Sequence, residues 1–264
     1  MDLTYPAEAE AFRTEIRGWL EENLPDGWFD EGFEQTPEEK KAFNEAWPAK
    51  LYGGGWICAS WPKEYGGKGL STMENVVLAE EFARAKAPLR ADFFGDTLVG
   101  PTILQHGTEE QKKHFLPKIM KGEMAWCQGF SEPDSGSDPG SMRTTARRDG
   151  EDWILNGSKM WITSGSIADV AVVWAKTDDG VQGFLVEPDM EGFTAPEMHG
   201  KLSLRASVTS ELAFDDVRVP DANRLPEVQS LKGPLSCLNE ARYGIAWGVV
   251  GAARACFEAA LDYA

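Results

Sequence analysis

The sequence predicts an α+β chain built from three consecutive blocks. Residues 1–121 carry helical periodicity punctuated by capping signals. Residues 122–230 carry short apolar runs bounded by turn residues, the signature of strands. From Leu235 a helical apolar stripe returns and fills most of 231–264. The expected domain organisation is therefore a helical domain over 1–121, a β domain over 122–230 and a single helix over 231–264.

Within the first block, Ala7 to Asn23 places Phe12, Ile16, Trp19 and Leu20 on one helical face. Thr36-Pro37-Glu38-Glu39 is a start signal, with a capping Thr, Pro at the first position and Glu at the third. The helix it opens is expected to stop near Trp47, because Pro48 disfavours continuation. Ser71-Thr72-Met73-Glu74 and Thr108-Glu109-Glu110-Gln111 are two further capping boxes, and Pro117 is expected to kink or divide the helix after the second. The Gly-rich stretch from Gly53 to Gly69 lacks the ending of a phosphate-binding loop, so it reads as a connector. In the second block, Asp169 to Lys176 is an apolar strand and Asp179-Gly180 signals a hairpin before Phe184-Leu185-Val186. Leu212 to Val219 alternates, but the doubled Asp215-Asp216 slips the period and predicts a bulge or bend. In the last block, Ile245, Val249, Ala252, Ala253, Cys256, Phe257, Ala260 and Leu261 make a broad apolar face.

Composition narrows the function. Lys and Arg number 26 against 43 Asp and Glu, a net charge of −17, which argues against a nucleic-acid partner and a polybasic membrane contact. Cys58, Cys127, Cys237 and Cys256 form no metal-ligand spacing with one another or with the three histidines. The first residues show no signal-peptide pattern, and no apolar run is read as long enough to span a bilayer. A cytoplasmic location without membrane contact is the expectation.

The chemistry concentrates between Trp126 and Gly165. Cys127-Gln128-Gly129-Phe130-Ser131-Glu132-Pro133-Asp134-Ser135-Gly136-Ser137-Asp138 reads as a strand end opening into a Ser/Gly/Asp loop. Trp153 to Gly165 reads as a strand ending at Leu155, a turn at Asn156-Gly157, and a second strand carrying Trp161 and Thr163 on one face. A flat aromatic beside hydroxyls and loop amides suits a planar heteroaromatic ligand. Alone, Trp161 is one of 10 Trp and reads equally as a core residue, and the serines read equally as turn formers.

These two segments resemble the middle-domain signatures of the acyl-CoA dehydrogenase family, roughly T/S-E-P-x-S/A-G-S-D and N-G-x-K-x-W-I-T. Lys201-Leu202-Ser203-Leu204-Arg205-Ala206-Ser207-Val208-Thr209 is similar to a third family segment. Asn239-Glu240-Ala241-Arg242-Tyr243-Gly244-Ile245-Ala246-Trp247-Gly248 is similar to the glutaryl-CoA dehydrogenase branch. The four motifs stand in the family's order, and the resemblance covers essentially the whole chain.

The resemblance implies a helical N-terminal domain, a β-barrel-like middle domain and the first helix of a C-terminal bundle. It implies FAD as cofactor and α,β-dehydrogenation of an acyl-CoA to the 2,3-enoyl-CoA. A carboxylate would take the α-proton, and the thioester carbonyl would be polarised as in an oxyanion hole. Gln128, Phe130, Ser131, Trp161, Ile162 and Thr163 match flavin-lining positions. Ser137, Arg242, Tyr243 and, more loosely, Arg90 match substrate-binding positions. An electron-transfer flavoprotein as acceptor and a homo-oligomer, a tetramer in the family, follow from the same resemblance.

Two departures bear on function. The family's usual catalytic glutamate lies beyond residue 264, so a C-terminally truncated chain is expected. Where other members carry a base one residue before the matching arginine, this chain has Ala241. Glu240, one further back and turned roughly 100° around the helix, is a weak candidate base that reads foremost as a surface acid. The glutaryl branch holds its substrate's distal carboxylate with an arginine of the N-terminal helices, and the region near Ala46 has none. Two other readings remain: a non-catalytic subunit that pairs with a complete partner, and an oxidase-like enzyme passing electrons to oxygen.

Overall fold

The computed structural model describes residues 4–89, 94–228 and 230–264, and the side chain of Glu240 also lies outside that description. Arg90, expected near the substrate, therefore falls outside the described residues. By internal packing the chain forms two units, residues 1–96 with 117–123 and residues 97–116 with 124–264.

The first unit is helical. Helix α1 spans Ala7–Asn23, α2 Pro37–Gly54 and α3 Thr72–Arg84. The boxes at Thr36/Glu39 and Ser71/Glu74 both close reciprocally, each hydroxyl accepting the third residue's N–H while the glutamate accepts the cap N–H. Helix α2 does not stop at Trp47. It continues through Pro48 for nearly two turns, because Trp47 and Leu51 are both buried on its inner face and their packing outweighs the proline's roughly 3 kcal/mol penalty. It ends at Gly55, whose φ of 69° makes the left-handed cap. Trp19 of α1 meets Trp47, Trp56 and Phe82 with ring centroids 5.5, 5.7 and 6.2 Å away, joining all three helices and the Gly-rich connector. Beside this apolar seam, the buried carboxylate of Glu81 on α3 receives Arg13 and Arg17 of α1 and its neighbour Arg84.

In the second unit, α4 is Gly100–His106. Helix α5, Glu109–Lys121, begins here with the Thr108/Gln111 box and runs unbroken through Pro117, where the division between units falls. The strands are β1 Trp126–Gly129, β2 Thr145–Asp149, β3 Asp152–Thr163, β4 Val170–Thr177, β5 Gly180–Val186, β6 Phe193–Thr194, β7 Thr209–Pro220 and β8 Arg224–Leu225. They form one mixed sheet ordered β6-β7-β3-β2-β4-β5-β8, with β1 parallel to β4. Trp153 on β3 and Phe184 on β5 lie 5.5 Å apart although two strands separate theirs in the sheet. The sheet must therefore curl, and one core gathers Cys127, Leu155, Val173, Phe184, Leu212 and Val217 from five strands.

Asn156-Gly157 is not a hairpin turn. Strand β3 passes straight through it, and the β2–β3 turn is Gly150-Glu151, between the paired Asp149 and Asp152. The turn-like composition serves a bulge. Asp216, with φ 50°, adds a residue to β7 opposite Asn156, whose amide both donates to the Asp216 carboxylate and accepts its N–H. Gly157 is required on two counts: its φ is 140°, and a Cβ would lie 2.7 Å from Thr144.

Helix α6, Lys232–Tyr263, docks its first turns on α4. There the Thr102 hydroxyl meets Cys237 Sγ and the Ser236 hydroxyl donates to Gln105 at 3.1 Å. Beyond Ala241 its residues are exposed. By length and composition alone this helix is apolar enough to cross a membrane, so the expectation that no run reaches that length does not hold. Beyond the broad face of Ile245, Val249 and Phe257, Ala, Gly, Val and Trp make the helix apolar nearly all round.

Candidate functional site

The two motif segments meet where β1 ends and β3 ends. The tie between them is a residue pair to which the sequence reading gave no role. Lys159, with no exposed surface, runs inward from β3 and donates from Nζ to Glu132 Oε1 at 2.8 Å and to the Phe130 carbonyl at 3.2 Å. Glu132 also accepts the backbone N–H groups of Arg143 and Thr144. One carboxylate thus pins both ends of loop 131–144 to one strand. Gly129 lets the lysine pass, because a Cβ there would lie 3.1 Å from Lys159 Cγ.

Burial pushes the Glu132 carboxyl up, but Lys159 and its other donors more than reverse this and hold it below the usual range. Burial draws the Lys159 ammonium down to about 8 against the pull of Glu132. At neutral pH both remain charged, and removing one partner of such a buried pair costs about 3–5 kcal/mol.

Loop 131–144 is bonded within itself as well. Glu132 and Ser135 exchange backbone hydrogen bonds across Pro133-Asp134, and Asp138 caps the short turn Pro139–Ser141. Ser131 then accepts the Met160 N–H at 2.9 Å, which seats the loop on β3.

At that contact β3 carries its own bulge. Lys159 pairs with Leu212 and Ile162 with Ser210, so three steps on β3 match two on β7. The extra residue is absorbed at Trp161, with φ 65°. A bulky residue in the left-handed region is strained by about 1–3 kcal/mol. The bulge breaks the expected alternation. Ile162 turns into the core, leaving only its backbone for a ligand, while the indole of Trp161 stands 61% exposed. Thr163 is half-buried, Ser131 and Phe130 likewise, and the Phe130 ring meets Trp174 at 6.5 Å. Gln128 Nε2 is buried with no hydrogen-bond partner among the described residues, a donor that an acceptor from outside the chain would satisfy.

The predicted flavin positions are thus brought together, and the predicted acyl-CoA positions are spread out. Ser137 is exposed on the loop. Arg242 and Tyr243 are exposed on α6, and Arg242 donates to Asn239 at 3.5 Å. Ala46 lines a recess of about 360 Å³ with Phe43, Trp47, Asp26, Glu34, Glu39 and Lys50, and among the described residues no arginine lines it. Among the described residues no group of three His, Cys, Asp or Glu is placed to hold a metal.

Two family models match the chain: acyl-CoA dehydrogenase, N-terminal domain, over residues 6–123, and acyl-CoA dehydrogenase, middle domain, over 127–217. The chain is 43% identical over 179 residues to the acyl-CoA dehydrogenase IpdE1 of Mycobacterium tuberculosis, covering 66% of this chain and 46% of that one. It spans about half the length of the curated relatives it matches. Among solved structures, a glutaryl-CoA dehydrogenase from Mycobacterium smegmatis in complex with FADH2 superimposes with a TM-score of 0.74 at 42% identity, over 95% of this chain and 63% of that one. A glutaryl-coenzyme A dehydrogenase in complex with glutaryl-CoA gives 0.75 at 32% identity, over 100% and 68%.

Proposed function

The chain belongs to the acyl-CoA dehydrogenase family, and we propose that it supplies the FAD site of an enzyme converting an acyl-CoA to its 2,3-enoyl-CoA. The observation that carries this reading is the pairing of an outward indole on strained backbone with a polar loop and an unpaired buried donor. The residues fit the group. Trp161 would cover one ring face, Phe130 would flank it, the hydroxyls of Ser131 and Thr163 would meet its polar edge, and Gln128 Nε2 would find an acceptor there. When bound, FAD accepts the hydride from the substrate's β-carbon. Ser137, Arg242, Tyr243 and Arg90 are assigned to the acyl-CoA. No base is assigned within this chain, since Ala241 cannot accept a proton and Glu240 is the weak candidate.

A glutaryl-like substrate is favoured by the Asn239–Gly248 segment and disfavoured by the missing arginine near Ala46. The same reading divides the chain at about 121 and 230. It places the protein in the cytoplasm as a homo-oligomer, sets α6 among the helices of a bundle, and passes the electrons to an electron-transfer flavoprotein.

The test is the visible spectrum of the purified chain titrated with FAD, followed by anaerobic addition of glutaryl-CoA and of a straight-chain acyl-CoA. Saturable uptake of FAD, without bleaching by either thioester, is the expected result. A chain that takes up no FAD overturns the cofactor assignment. Bleaching would mean that a base lies within these residues.

A further inference from the structure

We propose that Lys159 and Glu132 are a positioning pair whose buried contact fixes the spacing between the outward Trp161 indole and the polar loop beginning at Ser131. The argument rests on the flavin reading for its purpose but on geometry for its substance. Three backbone groups of the loop meet this pair: the Phe130 carbonyl takes the lysine, while the Arg143 and Thr144 N–H groups take the glutamate. The pair therefore grips the loop where it leaves β1 and where it returns to the sheet.

Lys159 sits two residues before Trp161 and Glu132 one residue after Ser131. The link between those neighbours, Met160 N–H to the Ser131 carbonyl, is a single backbone hydrogen bond at the sheet surface. Among the described residues, the loop is otherwise tied to β3 by the Thr144 hydroxyl, which donates to the Ser158 carbonyl at 3.2 Å below the bulge, so the geometry of the bulge depends chiefly on the charged pair beneath it. Two glycines are spent on the arrangement. Gly129 clears the lysine stem, and Gly157 clears the returning Thr144. A pair that only filled space would not need ionic partners, since apolar side chains of similar volume serve a core as well or better.

The test is residue-resolved hydrogen exchange on the intact chain in the variants E132Q and K159M. Exchange at Arg143, Thr144 and Met160 should quicken at least tenfold in both, with Val172 and Trp174 of β4 unchanged. Met160 is decisive because its bond touches neither altered side chain. Unchanged exchange at Met160 overturns the proposal. The double variant E132L/K159M guards against simple unfolding: it refills the site without the polar links. There Met160 should still exchange fast while β4 stays protected; normal Met160 protection would mean the pair only fills space. FAD affinity, measured alongside, should fall in all three variants. If the wild-type chain takes up no FAD, the cofactor reading fails while the exchange result still decides the pair.

Discussion

Glu81→Gln is the sharpest test of how the helical unit is held. The carboxylate is 1% exposed and accepts Arg13 Nη1 at 2.8 Å, Arg17 Nε at 2.7 Å and Nη2 at 3.0 Å, and Arg84 Nε at 2.8 Å. Burial pushes its pKa up, and Arg17, Arg13 and Arg84 together overcome that and hold it at about 2, against an ordinary 4.5. At 1.36 kcal/mol per unit, the lowered pKa corresponds to about 3 kcal/mol. The folded pKa lies below the unfolded one, so this stability is fully present above pH 4.5 and drains away as pH falls towards 2. Arg13 keeps Glu80 and Glu10 in the variant, and the half-exposed Arg17 and Arg84 rehydrate, which limits further loss. Urea unfolding followed by helical circular dichroism at pH 7 and at pH 2.5 reads the effect. The variant should be about 3 kcal/mol weaker at pH 7 and close to wild type at pH 2.5. A gap under 1 kcal/mol at pH 7, or one that ignores pH, would refute the reasoning.

Other substitutions probe the β unit and the caps. Gly157→Ala forces a left-handed residue onto Thr144, and calorimetry should show a loss of about 2–4 kcal/mol. Trp161→Ala removes a mostly exposed ring, so thermal stability should hold while FAD affinity drops at least tenfold in a fluorescence titration. Ser71→Ala opens the α3 capping box and should cost about 1 kcal/mol in the same urea assay used for Glu81.

The order of helical and β blocks was legible because it rests on local signals. The Thr36, Ser71 and Thr108 boxes each begin a helix, and Asp215-Asp216 is the bulge that the slipped alternation announces. What failed were rules that packing can override. Pro48 does not end α2, because Trp47 and Leu51 straddle it on one buried face. Asn156-Gly157 does not turn, because the glycine is needed for clearance against Thr144, which leads into the neighbouring strand β2. At the site, the motif residues were found, but as a row facing a ligand. Glu132 and Lys159 were passed over because a charged pair, 27 residues apart, has no periodicity to betray its burial. Their signal was only that a lysine stood where the strand's alternation calls for an inward side chain, in step with Trp153 and Leu155.

The two bulges of the β3–β7 ladder work like a frameshift and its suppressor. Residue numbers paired across the ladder sum to 372 at Asp152/Pro220, to 371 from Gly157/Phe214 to Lys159/Leu212, and to 372 again at Thr163/Thr209. Each strand carries one supernumerary residue, and both ends of the ladder stay in frame. Straightening β3 with every residue kept would send the indole inward and Ile162 outward, exchanging a core side chain for the ligand-facing one. A deletion at a bulge leaves the flanking pairs in register, whereas a deletion elsewhere in either strand turns side chains over up to the next bulge. Among chains built on this ladder, the place of each bulge should be far more constrained than the identity of most residues along the strands.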